Sequence, residues 1–197
     1  MTGATHRSSA DGRLVVISGP SGAGKTSVCR ELKQLPEIEF SISATTRPVR
    51  NRERDGVDYH FLSPDEFAAR VERGEFLEWA SYNDCCYGTL RAPMDAAVAA
   101  GRIFLLEIEV NGTKQLRQRG VPGLYLFIAP PDLGELRRRL VDRGTNTPED
   151  IDARVLIAER EIEAAQEVVS GAPLYDHVIL NEDLPATVRR IQELISP

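Results

Sequence analysis

The sequence predicts an α/β fold in which a parallel sheet carries helices on both faces. Three observations predict it. Short β-rich apolar runs alternate with segments whose apolar residues recur at helical spacing, the pattern of consecutive βαβ units. The first run, RLVVISG (Arg13 to Gly19), passes through a glycine-rich turn straight into a helical segment. Between about Ser41 and Arg91 the alternation breaks into clustered short strands, which predicts a small, partly antiparallel insert.

Taken in order, RLVVISG reads as a buried strand. KTSVCRELKQL is helical until Pro36, and EFSIS (Glu39 to Ser43) is a second short strand. PDEFAARVERG opens on Pro64 and closes on Gly74, the proline-first, glycine-last asymmetry of a helix. EFLEWASYNDCCYGT reads as two strands paired around a turn at Asn83-Asp84. RAPMDAAVAAG is a helix closed by glycine, RIFLLEIEV a strand, GTKQLRQRG a helix and GLYLFIAPP a strand. DLGELRRRLVDRG is a helix with Asp132 placed to cap it. After the polar break GTNTPED, a long helix is expected from Ile151 to Gly171. DHVILN is the last strand and LPATVRRIQELI the last helix.

A chain of 197 residues is long enough for one domain with a sizeable core. Its 42 % hydrophobic and 27 % charged residues place it among globular proteins rather than disordered or fibrous ones. No apolar run is long enough to span a bilayer. The N-terminal segment lacks the apolar stretch of a secretory signal, so residues 1–12 are expected to be a disordered tail and the protein cytoplasmic. The three cysteines, Cys29, Cys85 and Cys86, suit reduced thiols better than a disulfide framework or a zinc site. A net charge of −6 argues against a nucleic-acid binder, which would need an extended basic face.

GPSGAGKT comprises Gly19, Pro20, Ser21, Gly22, Ala23, Gly24, Lys25 and Thr26 and matches G-x-x-x-x-G-K-[ST]. It follows a predicted strand and opens a predicted helix, the context that makes it a phosphate-binding P-loop rather than a ligand-free turn. Its glycines let backbone amides turn inward, and the helix start adds partial positive charge. Lys25 is placed to bind the terminal phosphates of a nucleoside triphosphate, and the Thr26 hydroxyl to ligate Mg²⁺. The sheet is thus expected to be of the P-loop NTPase type. The motif identifies a nucleoside triphosphate, not a reaction. A second anion site is suggested by SISATTRPVRNRERDGVDYHF, which gathers Arg47, Arg50, Arg52 and Arg54 in an acidic protein. Arg52 and Arg54, flanked by Glu53 and Asp55, read as a solvated loop.

GPSGAGKT, SISATTRPVR, DGVDYHF, GEFLEWA, YGT, FIAPP and RLVDRGT occur in the order and spacing of the guanylate kinases, and the chain resembles that family from about Arg13 to its C-terminus. The resemblance implies transfer of the γ-phosphoryl group of ATP to GMP, and to dGMP, giving ADP and GDP. It implies that Arg47, Arg50, Tyr59 and Tyr87 hold the GMP phosphate, and that Glu78, Ser43 and Thr89 read guanine. Those residue types suit the task. Arginine forks match phosphate oxygens, and a carboxylate accepts from guanine N1 and N2 together. At Glu109 the family more often has aspartate, and Asn111 and Thr113 stand where it more often has glutamine and alanine. Glu109 is therefore a base contact one methylene longer than usual, and Glu107 lies on the same strand face, where it would hold water around Mg²⁺.

By the same resemblance Arg139, Arg143 and Arg154 close on the ATP phosphates, and Asn181 lies near adenine. Lys25, Arg47, Arg139, Arg143 and Arg154 form the catalytic set. The implied organisation is a core of 13–40 and 97–197, a GMP-binding insert of 41–96 and a lid of about 143–155, with insert and lid closing over the substrates. Two other readings stand beside this one: a P-loop kinase for another phosphorylated acceptor, and a non-catalytic interaction module of guanylate kinase-like type.

Overall fold

The computed structural model describes residues 12–142, 144 and 147–196. β1 (Arg13–Ser18) leads through the glycine-rich turn to α1 (Lys25–Leu32) and then β2 (Ile38–Phe40). The chain next builds a smaller layer from β3 (Ala44–Thr45), β4 (His60–Phe61), α2 (Pro64–Glu72), β5 (Phe76–Tyr82) and β6 (Cys85–Leu90). It returns through α3 (Arg91–Ala99) to β7 (Ile103–Glu107), α4 (Val110–Gln118), β8 (Leu124–Ala129), α5 (Leu133–Asp142) and α6 (Pro148–Ala164). A hairpin of β9 (Val168–Val169) and β10 (Ala172–Pro173) precedes β11 (His177–Leu180) and α7 (Leu184–Ile195).

The larger sheet is parallel throughout, in the order β11-β8-β1-β7-β2. Its strands are near-continuous apolar runs because both faces are covered. Along β1, Leu14 and Val16 pack with Met94 and Ala97 of α3 and Leu116 of α4. Val15 and Ile17 point the other way, to Val28 and Leu32 of α1 and Ile191 of α7. Each fully buried valine, leucine or isoleucine among them contributes about 1.5–3 kcal/mol. The register sets Ile17 opposite Glu107, so the carboxyl ends of β1 and β7 finish side by side. In an open α/β sheet that edge is where ligands bind.

The smaller sheet has the order β4-β3-β6-β5 and is mixed, with β3–β4 parallel and the other pairs antiparallel. Asn83 and Asp84 both have positive φ, 47° and 59°, which matches the twist of a tight hairpin. Phe67 of α2 stacks on Phe76 at 4.4 Å and closes the core of this layer. α4 ties it to the larger sheet: Gln115 Nε2 donates to the Trp79 carbonyl at 2.8 Å, and Arg119 Nη1 to the carbonyls of Phe76 and Leu77 at 3.1 and 2.6 Å.

Several elements differ from the sequence prediction. β7 ends at Glu107 and α4 begins at Val110, inside the run read as the strand RIFLLEIEV, with Glu109 at the helix N-cap. The second strand is Ile38–Phe40, although the Ser41 amide still bonds to the Leu105 carbonyl at 2.9 Å. The long helix starts earlier, at Pro148, because Thr147 and Asp150 form a reciprocal capping box. It stops at Ala164 rather than Gly171. Ser170 and Gly171, with φ of 52° and 83°, turn the chain back into the β9–β10 hairpin.

Candidate functional site

The glycine-rich turn follows the end of β1, and two of its glycines have no substitute. At Gly19, φ 141°, a Cβ would overlap the Ile128 carbonyl; at Gly24, φ 97°, it would overlap the Asn181 amide. Ser21, Gly22, Lys25 and Thr26 line a cleft of about 480 Å³, whose far wall includes Ser43, Tyr59 and Glu109. Lys25 Nζ donates to the carbonyls of Gly19 at 2.5 Å and Pro20 at 3.0 Å. Burial pulls the lysine below its ordinary pKa, against the opposing pull of Glu107, Glu161 and Glu109.

Thr26 Oγ1 donates to Glu107 Oε1 at 2.8 Å. A hydroxyl and a carboxylate are hard oxygen donors that suit Mg²⁺, which keeps most of its shell as phosphate oxygens and water. The residues present therefore fit the ion.

The arginine-rich stretch folds over β3 and β4. Arg47 is only 11 % exposed, and its fork meets Glu53 bidentately, at 3.0 and 2.9 Å. Its guanidinium lies 5.3 Å from the Tyr59 ring centre, and the Tyr59 and Tyr87 rings are 6.3 Å apart, edge to face. Three of the four predicted phosphate ligands are thus brought together. The fourth, Arg50, keeps an exposed side chain and donates its backbone N–H to Glu53 at 2.8 Å. Arg52 and Arg54 are exposed, as the sequence suggests. Glu53 is not merely a loop charge: the Arg47 hydrogen bonds hold its carboxyl below the usual range.

Glu78 of β5 and Thr89 of β6 are paired across the smaller sheet and are both buried. Thr89 Oγ1 donates to Glu78 Oε1 at 2.7 Å. Burial pushes the Glu78 carboxyl up, and the Thr89 hydrogen bond opposes that shift. Glu109 occupies the N-cap of α4 and makes no side-chain cap bond, so its carboxylate faces the cleft. Ser43 lines the same cleft, and Ser41, absent from the sequence expectations, lines it with a buried hydroxyl.

On the triphosphate side, Arg154 Nη1 of α6 reaches Ser21 Oγ at 2.9 Å. Arg139 is braced by Glu135 at 2.7 Å and donates to the Asn181 carbonyl at 2.8 Å. Arg143 lies outside the described residues. Asn181, expected near adenine, is buried and bonded to the P-loop backbone. Its Nδ2 donates to the Ala23 carbonyl at 2.7 Å and its Oδ1 accepts from Thr187 at 3.0 Å. Sequence reasoning also missed Glu161 of α6, seven residues beyond Arg154 and so on the same helix face. Burial pushes its carboxyl up to about 7, with Lys25 opposing and Glu109 adding to the shift. No local motif marks it; only the helical spacing from Arg154 points to it.

A family model described as guanylate kinase matches residues 11–197. A guanylate kinase from Syntrophotalea carbinolica is 46 % identical over 94 % of this chain and 85 % of its own length. One from Thermosynechococcus vestitus is 43 % identical over 99 % of this chain and 97 % of its own. The crystal structure of guanylate kinase from Anaplasma phagocytophilum superposes with a TM-score of 0.69 at 31 % identity, covering 94 % of this chain and 85 % of that one.

Proposed function

The chain belongs to the guanylate kinase family, and from that premise we propose how its residues divide the work. The reaction is the ATP-dependent phosphorylation of GMP, giving ADP and GDP. The observation that carries the division is the buried Glu78–Thr89 pair on the same small sheet as Tyr87, which stands with Arg47 and with Tyr59, a residue that lines the cleft facing the P-loop. GMP enters with its base at the first group and its phosphate at the second. Glu78 accepts from guanine N1 and N2, Ser43 and Thr89 serve as hydroxyl partners, and Glu109 adds a carboxylate from the α4 cap. Arg47, Arg50, Tyr59 and Tyr87 hold the phosphate. These residues meet base and phosphate, so dGMP is assigned as a second acceptor.

On the donor side the residues Gly19 to Thr26 hold the ATP phosphates, with Asn181 supporting them. Lys25 must leave the Gly19 and Pro20 carbonyls for the terminal phosphates. Thr26, with Glu107 behind it, would hold Mg²⁺, which when bound neutralises charge on the phosphate oxygens. The γ-phosphoryl passes in line between two oxygens through a loose transition state, so catalysis is mainly positioning and charge stabilisation. Lys25, Arg47, Arg139, Arg143 and Arg154 supply that charge. Closure of the insert (41–96) and of a lid (about 143–155) onto the core (13–40 and 97–197) keeps water from the γ-phosphate. We assign the enzyme to the cytoplasm, with nucleotides rather than nucleic acid as its partners; no described helix is long and apolar enough to cross a membrane.

An ADP-release assay with ATP and Mg²⁺, offering GMP, dGMP, AMP, CMP and UMP separately, tests this reading. Turnover with GMP and dGMP alone is expected. Equal turnover with AMP would remove Glu78 and Glu109 from base recognition.

A further inference from the structure

Gly112, in the first turn of α4, has no backbone reason to be glycine. Its φ is not positive, and alanine in a helix interior is better by about 1 kcal/mol. The demand is spatial. A Cβ there would stand 3.0 Å from Glu78 Oε2 and 3.4 Å from Glu78 Cδ, with Ile108 Cδ1 at 3.3 Å. The nearest atom is the carboxylate assigned to guanine. It is buried, and one oxygen is already fixed by Thr89. The other lies beside Gly112 in the first turn of α4, where the amides of Val110, Asn111 and Gly112 have no acceptor within the helix and carry partial positive charge.

We propose that Gly112 is a specificity-determining positioning residue: its missing side chain lets the Glu78 carboxylate settle against the start of α4, in the one placement from which it meets both N1 and N2 of guanine. The proposal rests on the assignment of Glu78 to the base. A methyl group at residue 112 pushes the carboxylate sideways by a few tenths of an ångström. That weakens the two-point contact with guanine more than the one-point contact with a purine lacking the 2-amino group. IMP is that purine, and it keeps the same phosphate.

Gly112→Ala is compared with wild type using GMP and IMP as acceptors, alongside thermal melts. The expected result is a drop in kcat/KM of about 10-fold for GMP and less than about 3-fold for IMP. KM for ATP should be unchanged and Tm unchanged or raised. A purely structural glycine gives the opposite: a lowered Tm, or failure to fold, with both acceptors affected equally, and this overturns the proposal. Gly112→Ala/Ile108→Val relieves the neighbouring apolar contact alone, so recovery of GMP turnover in that variant would overturn it too. Glu78→Gln separates the two levels. If it leaves the GMP-to-IMP ratio at the wild-type value, the assignment of Glu78 fails and takes the proposal with it. If it collapses the ratio while Gly112→Ala does not, only the proposal fails.

Discussion

The proposed phosphate cradle at Gly19 to Thr26 is made mainly of backbone, and the proposed base pocket is made of side chains. Eight consecutive residues supply the first, and its demands are conformational: glycine where φ is positive or where a carbonyl passes too close. The second, as proposed, takes Ser43, Glu78, Thr89 and Glu109 from four separate segments: sheet pairing joins Glu78 to Thr89, and Ser43 and the α4 cap residue Glu109 line the cleft. Backbone amides bind any phosphate tail, so the cradle is general. A buried carboxylate with a fixed hydroxyl partner leaves a wrong base with unpaired groups, so the pocket is selective. The comparison teaches that rate and selectivity should fail separately.

Lys25→Met should cause the largest loss. Removing the mobile charge of the cradle is expected to lower kcat on the order of 10³-fold, with GMP binding measured by calorimetry nearly unchanged. A parallel loss of GMP affinity would break the separation. Arg47→Met is next. Loss of a bidentate phosphate contact should raise KM for GMP roughly 100-fold and leave KM for ATP as it was, both read from steady-state kinetics.

Asn181→Ala sharpens the contrast from behind the cradle. The Ala23 carbonyl and the Thr187 hydroxyl lose their partner. ATP affinity is expected to fall about 10-fold and stability by about 1–3 kcal/mol, with GMP affinity intact. A selective loss of adenine over guanine as donor base, with stability unchanged, would make Asn181 an adenine contact rather than a support of the cradle.

The smallest effect concerns Glu161, which faces Lys25 and Glu109. Its carboxyl is pushed from 4.5 up to about 7, so the folded state binds this proton more tightly than the unfolded chain does. That favours folding below the ordinary value and is lost as pH rises from 4.5 through about 7. Glu161→Gln stays neutral, so its stability relative to wild type should rise across that interval in denaturant titrations. A constant difference would contradict the placement.

The parallel sheet was legible because the buried strands of β1, β7 and β8 are apolar on both faces, and the cradle because its motif is contiguous. The capping box at Thr147 was not read because Thr147 and Asp150 sit in what looked like a polar break, and the β9–β10 hairpin because it hides inside a helical pattern that continues past Ala164. The base pocket came only through family resemblance. Nothing local in Glu78 or Thr89 says that they pair across strands. Glu53 looked like a loop charge and proves to be the partner of Arg47. Gly112 and Asn181 act on residues 34 and 158 positions away, a distance no short pattern spans.

The most direct test is the ratio of kcat/KM for GMP and AMP in wild type and Glu78→Gln. The wild-type ratio is expected at roughly 10⁴ or more, and the variant should cut it by about 100-fold, chiefly through GMP, with KM for ATP unchanged. A ratio that survives the substitution intact would contradict the claim that guanine is read by the buried carboxylate of the smaller sheet.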